Sequence, residues 1–284
     1  MGPIGSPVLR RRRLGQELRR LREAAGKRLD DVAEYLECSD AKISRIETGK
    51  VPVLTRDVRD MLDFYGVPNG ERESLLDLAK EAKHQGYWER ATGSMPKIFA
   101  HYLALEAEAV EILNYEPLMI PGLLQTPSYA RALMMIGSVT DPERIEQKVR
   151  LRMERQKRLT DPDNPLRLHA IVDEAVFNRQ VGGKQVIQDQ FAHIAKMAEL
   201  PNVTIQYVSY EEGAYFGMGA SFAVLTFADP EDGAVVYQEM DNSVLFLESP
   251  NDVEQYKLLF KKMSRTAEGS EGTAEFFEYM SKRR

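Results

Sequence analysis

The sequence predicts an α+β protein in two parts. An all-α N-terminal domain of five helices comes first, then a helical segment and a C-terminal mixed α+β domain. Three observations carry this reading. Apolar residues recur at helical spacing in short runs from Leu14 to Ala82, and Gly26, Gly49 and Gly66 close three of those runs. From Leu166 onward the pattern changes to short segments rich in β-branched and aromatic residues. Between the two, the composition shifts around Gln85–Lys97 (QGYWERATGSMPK), which holds the only Trp. The expected boundaries are a basic arm at 1–13, the five-helix domain at 14–85, a junction at 86–97 packed by Tyr87 and Trp88, and the second domain at 98–284.

The helices of the first part follow in order. Leu14–Ala25 places Leu14, Leu18 and Leu21 on one face. Asp30–Leu36 (DDVAEYL) is a short amphipathic helix. The stretch Cys38–Lys50 (CSDAKISRIETGK) is another, with Ser39 as N-cap and Ile43 and Ile46 turned inward. So few residues separate these two that they must cross steeply, as a helix-turn-helix. Cys38, beside that turn, reads as a small buried hydrophobe. A fourth helix spans Leu54–Tyr65, with Thr55 as cap and Val58, Met61, Leu62 and Tyr65 facing the core. Asn69 opens a fifth through Leu75, Leu76, Ala79 and Ala82.

Ala33, Ile43 and the run SRIETGK, with Glu47 before the closing turn, resemble phage-repressor-type helix-turn-helix regulators, the xenobiotic-response-element (XRE) family. The likeness covers residues 14–66 and implies DNA binding and transcription regulation. It implies that Ser39, Asp40, Ala41, Lys42 and Arg45 face the major groove. Arg45 is suited to guanine, while Asp40 either accepts from cytosine or caps the helix. Arg10, Arg11, Arg12, Arg13, Arg28, Lys42, Ser44 and Lys50 are the expected backbone contacts, the arginine run acting as an arm. Glu37 departs from the pattern by holding a turn position usually given to Gly. Arg28 stands where Ser or Thr usually caps.

The second part opens with a predicted helix at Ile98–Tyr115, whose wide apolar stripe (Ile98, Tyr102, Leu105, Ala109, Ile112) suits a dimer interface. A Pro-Gly turn and a helix capped by Thr126 follow. The helix from Asp141 to Thr160 carries seven bases against four acids, among them Arg152, Arg155 and Arg158. Its bland reading is a solvated face; its sharper one is a site for an acidic partner. Five strands are expected: LRLHAIV, VTIQYVSY, SFAVLTFA, GAVVYQE and SVLFLES. The first two should be parallel across a helix at Lys184–Leu200, and the last three antiparallel, with turns at Asp232-Gly233 and Asp241-Asn242. Helices at Asn251–Ala267 and Thr273–Lys282 close the chain. The segments EAEAVEILNYE, IPGLLQTPSYARAL, RMERQKRL and IVDEAVFNRQVGG resemble the antitoxin-like domain of WhiJ-like regulators of actinobacteria. That resemblance implies a regulator often linked with a small partner protein, and no catalytic residues.

Composition bounds the rest. The chain of 284 residues has a net charge of −6, yet residues 1–50 hold twelve Lys and Arg against eight Asp and Glu. A basic end on an acidic body suits docking on DNA by one face. No run approaches the ~20 apolar residues of a membrane span. Arginines follow Met1–Leu9 in place of a signal-peptide core, and Cys38 is the single cysteine, so a cytoplasmic protein is expected. His169, Asp173, Glu174 and His193 match no metal-ligand spacing, and Gly182-Gly183-Lys184 lacks the phosphate-loop pattern. No enzyme, metal or cofactor is therefore expected. Tyr215 and Phe216, in the glycine-broken loop Gly213–Gly219, are the candidate ligand contacts. The leading function is a transcriptional regulator that binds double-stranded DNA at a two-fold operator as a homodimer. Its C-terminal domain would receive a small, acidic protein partner or a small-molecule effector. The alternative is an antitoxin-like protein that mainly sequesters a partner and binds DNA for autoregulation.

Overall fold

The computed structural model describes residues 7–82, 97–137, 141–240, 243–269, 275–277 and 280. The chain divides into two compact units, one of Met1–Glu108 with Asp229–Asp232, the other of Ala109–Ala228 with Gly233–Arg284.

In the first unit the five expected helices are α1 (Pro7–Ala24), α2 (Leu29–Tyr35), α3 (Asp40–Glu47), α4 (Thr55–Phe64) and α5 (Asn69–Glu81). A sixth, α6 (Lys97–Glu108), belongs with them. Helices this short are marginal alone, and a shared core holds them. Leu14 and Leu18 of α1 meet Val32 of α2, Ile43 and Ile46 of α3, Met61 and Leu62 of α4, and Ala79 of α5. Thr55 is not a cap: it is the first helical residue, and Leu54 precedes it without a side-chain bond. Cys38 is half-buried against this core and unoxidised.

Two expectations on the first unit are corrected. Residues 1–13 do not form an arm up to Leu14, because α1 already begins at Pro7. Proline suits a first helical turn, and Val8 and Leu9 are buried there with the leucines that follow. The helix predicted at Ile98–Tyr115 ends at Glu108, and Glu111–Glu116 forms a strand. Ile112 and Tyr115 therefore lie inside a sheet, and the continuous stripe expected to supply a dimer face does not exist. The junction with Tyr87 and Trp88 lies outside the described residues.

The second unit is organised on a six-stranded sheet in the order β3-β2-β1-β4-β5-β6. The strands are β1 (Glu111–Glu116), β2 (Arg167–Asp173), β3 (Val203–Val208), β4 (Phe222–Thr226), β5 (Ala234–Met240) and β6 (Ser243–Leu247). β1, β2 and β3 run parallel, and β4, β5 and β6 continue antiparallel from β1. The β1–β2 connection carries α7 (Pro127–Ile136) and α8 (Pro142–Gln156); the β2–β3 connection carries the short α9 (Ala175–Asn178) and α10 (Lys184–Ala198). One face of the sheet packs on α11 (Pro250–Thr266) through Tyr115, Ile171, Val224 and Val236 against Val253, Phe260 and Met263. Side chains alternate along a strand, so Leu168, Ala170 and Val172 point to the other face, where they too are buried. A sheet covered on both faces fits the near-continuous apolar run of β2. Five strands were expected, and six are present among the described residues. The parallel and antiparallel pairings match the expected ones, while Asp241-Asn242 and most of Thr273–Lys282 lie outside the described residues. No helix among the described residues is long and apolar enough to cross a membrane.

Candidate nucleic-acid interface

The polar face of α3 is presented by its buried one. Ile43, Ile46 and Glu47 are buried, while Ser39, Asp40, Ala41, Ser44 and Arg45 are exposed and Lys42 is half-buried. Ser39 caps the helix, its hydroxyl accepting from the Lys42 N–H at 3.3 Å, and Asp40 accepts from the Ala41 N–H at 2.8 Å. Ser39 is thus the cap, and Asp40 is the first helical residue, an acid in the first turn. The Nε of Arg45 donates to the Ala41 carbonyl at 3.1 Å, which holds the side chain along the helix surface. No carboxylate among the described residues pairs with it.

The turn before α3 bears out the departure seen in the sequence. Glu37 has φ 51°, and among the described residues it is the non-glycine residue in the left-handed region. A side chain there costs on the order of 1 kcal/mol relative to Gly. At the far end Gly49 has φ 64°, and a Cβ on it would come within 2.8 Å of the Arg12 Cα. The glycine of SRIETGK is thus required both by its conformation and by the passage of α1.

Glu47 anchors α3 from below. It accepts from Arg22 Nε at 2.6 Å and from a terminal nitrogen of Arg22 at 3.0 Å, and Arg22 also donates to the Lys27 carbonyl. A two-pronged pair of this kind fixes orientation as well as charge.

The expected phosphate contacts divide. Arg28 is exposed and pairs with Asp30 at 2.5 Å, while its N–H is accepted by Asp31. It is the N-cap residue of α2 and uses no side-chain bond for that. Ser44 and Lys50 are exposed. The arginine run is the correction. Four consecutive helical residues cannot share one face, and Arg11 and Arg12 are 3% and 1% exposed. Arg12 donates to the Asp232 carbonyl, Arg13 is paired with Asp229 and Asp232, and Arg10 lies 3.3 Å from Glu81. These residues belong to the frame of the first unit. Sequence reading passed over Arg56 and Asp57. Asp57 is buried in the first turn of α4 and accepts from Lys42 at 3.1 Å and Arg56 at 3.2 Å, so it positions two bases at the edge of α3. The segment TRDVR, directly after SRIETGK, was the available signal.

In the second unit the basic helix faces inward at the residues singled out. Arg152 donates to the Gln125 side chain, Arg155 is buried, and Arg158 donates to the Ala109 carbonyl at 2.8 Å. Gln156 donates to the Gly122 and Gln125 carbonyls, and Gln190 to that of Leu124. The distinctive RMERQKRL therefore ties down the distinctive IPGLLQ turn. Arg152, Arg155 and Arg158 are therefore engaged within the unit and are not a free basic face for an acidic partner.

The carboxyl ends of the parallel strands gather the remaining polar groups. Asp173 accepts from the Tyr215 hydroxyl and the Ala175 N–H, and Tyr215 meets the Tyr115 hydroxyl at 2.6 Å. Burial and then the bond to Asp173 hold the Tyr215 phenol well above its usual range. Tyr215 is thus an internal anchor, and Phe216 beside it is exposed. His169 bonds Gln206 at 2.7 Å and lies edge-on to Phe260; burial lowers both it and His193. Among the described residues no group of three or more His, Cys, Asp or Glu side chains is placed to hold a metal.

Glu116, closing β1, is half-buried, and desolvation pushes its carboxyl from 4.5 up to about 7, with Glu239 adding and Asn114 and Arg152 opposing. The unfolded chain loses this proton first, so stability falls as pH rises from about 4.5 through about 7. Glu116→Gln should therefore stabilise the protein by about 2 kcal/mol at pH 8 and leave pH 4 unchanged. Parallel unfolding curves for the two proteins across that range would refute this.

The comparisons with known proteins divide along the same lines. A family described as a helix-turn-helix domain matches residues 13–75. A domain of unknown function (DUF5753) matches residues 99–279. No curated protein and no solved structure matches the chain.

Proposed function

The chain belongs to the family defined by the DUF5753 domain, here preceded by a helix-turn-helix DNA-binding domain, and from that premise we propose that it is a sequence-specific transcriptional regulator of the XRE kind. The observation that carries the reading is α3, a short helix locked to its core by Ile43, Ile46 and the Arg22–Glu47 pair, with Arg45 and its polar neighbours facing out. Arg45 reads a guanine, Ala41 meets a thymine methyl, and Lys42, Ser44, Lys50 and Arg56 hold phosphates. A single module of this size contacts few bases, so the protein acts as a homodimer on a two-fold operator. Its second unit supplies the pairing and receives the signal, from a small protein partner or a ligand. The reading assigns the chain no catalytic activity and places it in the cytoplasm. In the antitoxin-like alternative the same DNA-binding domain serves autoregulation, and sequestering a partner is the main act.

Selection of binding sites from random duplexes by the full chain tests this. The enriched sites should carry inverted half-sites about one helical turn apart. Arg45→Ala should lose discrimination at one base pair of each half-site, worth about 1–3 kcal/mol. Enrichment of the same sites to the same degree by Arg45→Ala would remove Arg45 from the reading set, and no enrichment by the wild type would end the regulator reading.

A further inference from the structure

At the carboxyl ends of β1, β2 and β3 the second unit exposes several large apolar side chains. The register places the ends of β1, β2, β3 and β5 and the start of β4 along one edge of the sheet, since Tyr115 pairs Phe222 and Ala223 pairs Tyr237. Leu118 and Met119 follow β1 directly, Phe216 and Met218 lie in the loop from β3 to β4, and Met240 ends β5. Leu118 and Met218 are 56% exposed, Phe216 64% and Met240 53%. Monomeric surfaces rarely gather large apolar side chains in this way without a partner. Methionine is well suited to such a surface, because its flexible thioether adapts to what docks.

The charge on this edge decides what docks. Glu211 and Glu212 stand exposed at the start of the same loop, and Glu239 is exposed one residue before the end of β5, while Glu116, which ends β1, is held by burial in its neutral form up to about pH 7. Asp173 and Glu174 end β2 and are already bonded, to Tyr215 and to the Tyr210 N–H. The bases facing the edge are Lys262 of α11, whose Nζ sits 4.8 Å over the Phe216 ring, Arg152, which is bonded to Gln125, and Arg179 after α9. Among the described residues, carboxylates exceed bases at these strand ends. A second copy of the same edge would set acid against acid.

We propose that this edge docks a basic, amphipathic peptide segment of a protein partner, its apolar side chains on Phe216, Met218 and Leu118 and its lysines or arginines on Glu211, Glu212 and Glu239. The inference rests on the reading of the second unit as a receiver and names the chemistry of what it receives. The loop is a firm platform for it, since Tyr215 pins its middle to Asp173 and Tyr115.

The test is selection of peptides from a random library displayed on phage, using the full chain, with affinities of the selected peptides then read by fluorescence anisotropy. The selected peptides should be net positive with apolar residues interleaved, and added salt should weaken them. Phe216→Ala with Met218→Ala, and separately Glu211→Lys with Glu212→Lys, should each cost at least about tenfold in affinity. Asp163→Lys with Glu199→Lys, exposed acids at the opposite edge, should cost little. The proposal is overturned by selection of acidic or neutral peptides, by no selection, or by basic peptides that bind all three double variants alike. Operator binding by the same variants is measured alongside. Variants that keep operator affinity while losing the peptide support the surface, whereas the regulator reading itself fails only if the wild type selects no duplex.

Discussion

Replacing Glu47 with Ala should destabilise the first unit by about 3–5 kcal/mol and abolish DNA binding with it. Glu47 is 5% exposed and Arg22 8%, and Glu47 accepts two hydrogen bonds from Arg22, at 2.6 and 3.0 Å. Removing the carboxylate leaves the buried guanidinium with the Lys27 carbonyl and with Glu23, an exposed carboxylate 3.5 Å away. The cost is then that of a buried charge whose close two-pronged counterion has been replaced by a longer, solvent-exposed one, beyond the loss of a surface ion pair. Glu34→Ala, on the exposed face of α2, is the comparison and should lie within about 0.5 kcal/mol of wild type. Thermal unfolding of the full chain, followed by circular dichroism, should show the first transition fall by about 10 °C or more for Glu47→Ala. A midpoint within a degree or two of wild type would mean that the pair contributes no more than a surface one.

That pair shows how far the sequence alone reaches. Glu47 was visible as part of SRIETGK, but its partner was not, because Arg22 stands 25 residues upstream among other arginines. Only the crossing of α1 over α3 selects it. The same holds for Lys42, whose orientation depends on Asp57 in a different helix. Local features were legible where one residue decides them, as with Ser39 as cap and Glu37 in a left-handed turn.

Where the reading failed, two physical explanations competed over one pattern. Arg10–Arg13 read as a DNA-contacting arm because four consecutive charges usually stay in water, and these stand next to a helix-turn-helix. The residues around them, Val8, Leu9 and Leu14, are buried in α1 and carry the arginines inward to acidic and carbonyl partners. The apolar spacing of α6, the last helix of the first unit, runs along the sequence by coincidence into β1 of the second. Helical and strand periods agree over such a short overlap, and Val110, Ile112 and Tyr115 were the β-forming residues that tell them apart. The basic helix failed for a related reason. A count of charges does not say which arginines turn toward backbone carbonyls, and Arg158 does so across 49 residues. Strand pairing fared better, since connection length alone separates parallel β2–β3 from the closely spaced strands that follow.

Gly15→Ala tests the packing that sets the recognition helix in place, and here two effects oppose each other in sign. Gly15 lies within α1, where Ala would favour the helix by about 1 kcal/mol. A Cβ at that position would, however, stand 2.5 Å from the Glu47 carbonyl oxygen, 2.6 Å from that of Ile46 and 2.8 Å from the Glu47 carbonyl carbon. All three atoms are backbone, so no side chain can rotate away, and the last turn of α3 must move. Overpacking of this kind costs about 1–3 kcal/mol and occasionally more, and the rigid neighbours place this site at the upper end. The net expectation is a destabilisation of about 2 kcal/mol or more, with a further loss of operator affinity, because the displaced segment is the end of the helix that carries Arg45. Amide chemical shifts should change most from Ser44 to Gly49. A Gly15→Ala protein more stable than wild type would show that helix propensity prevails, and that α1 and α3 do not approach at backbone distance.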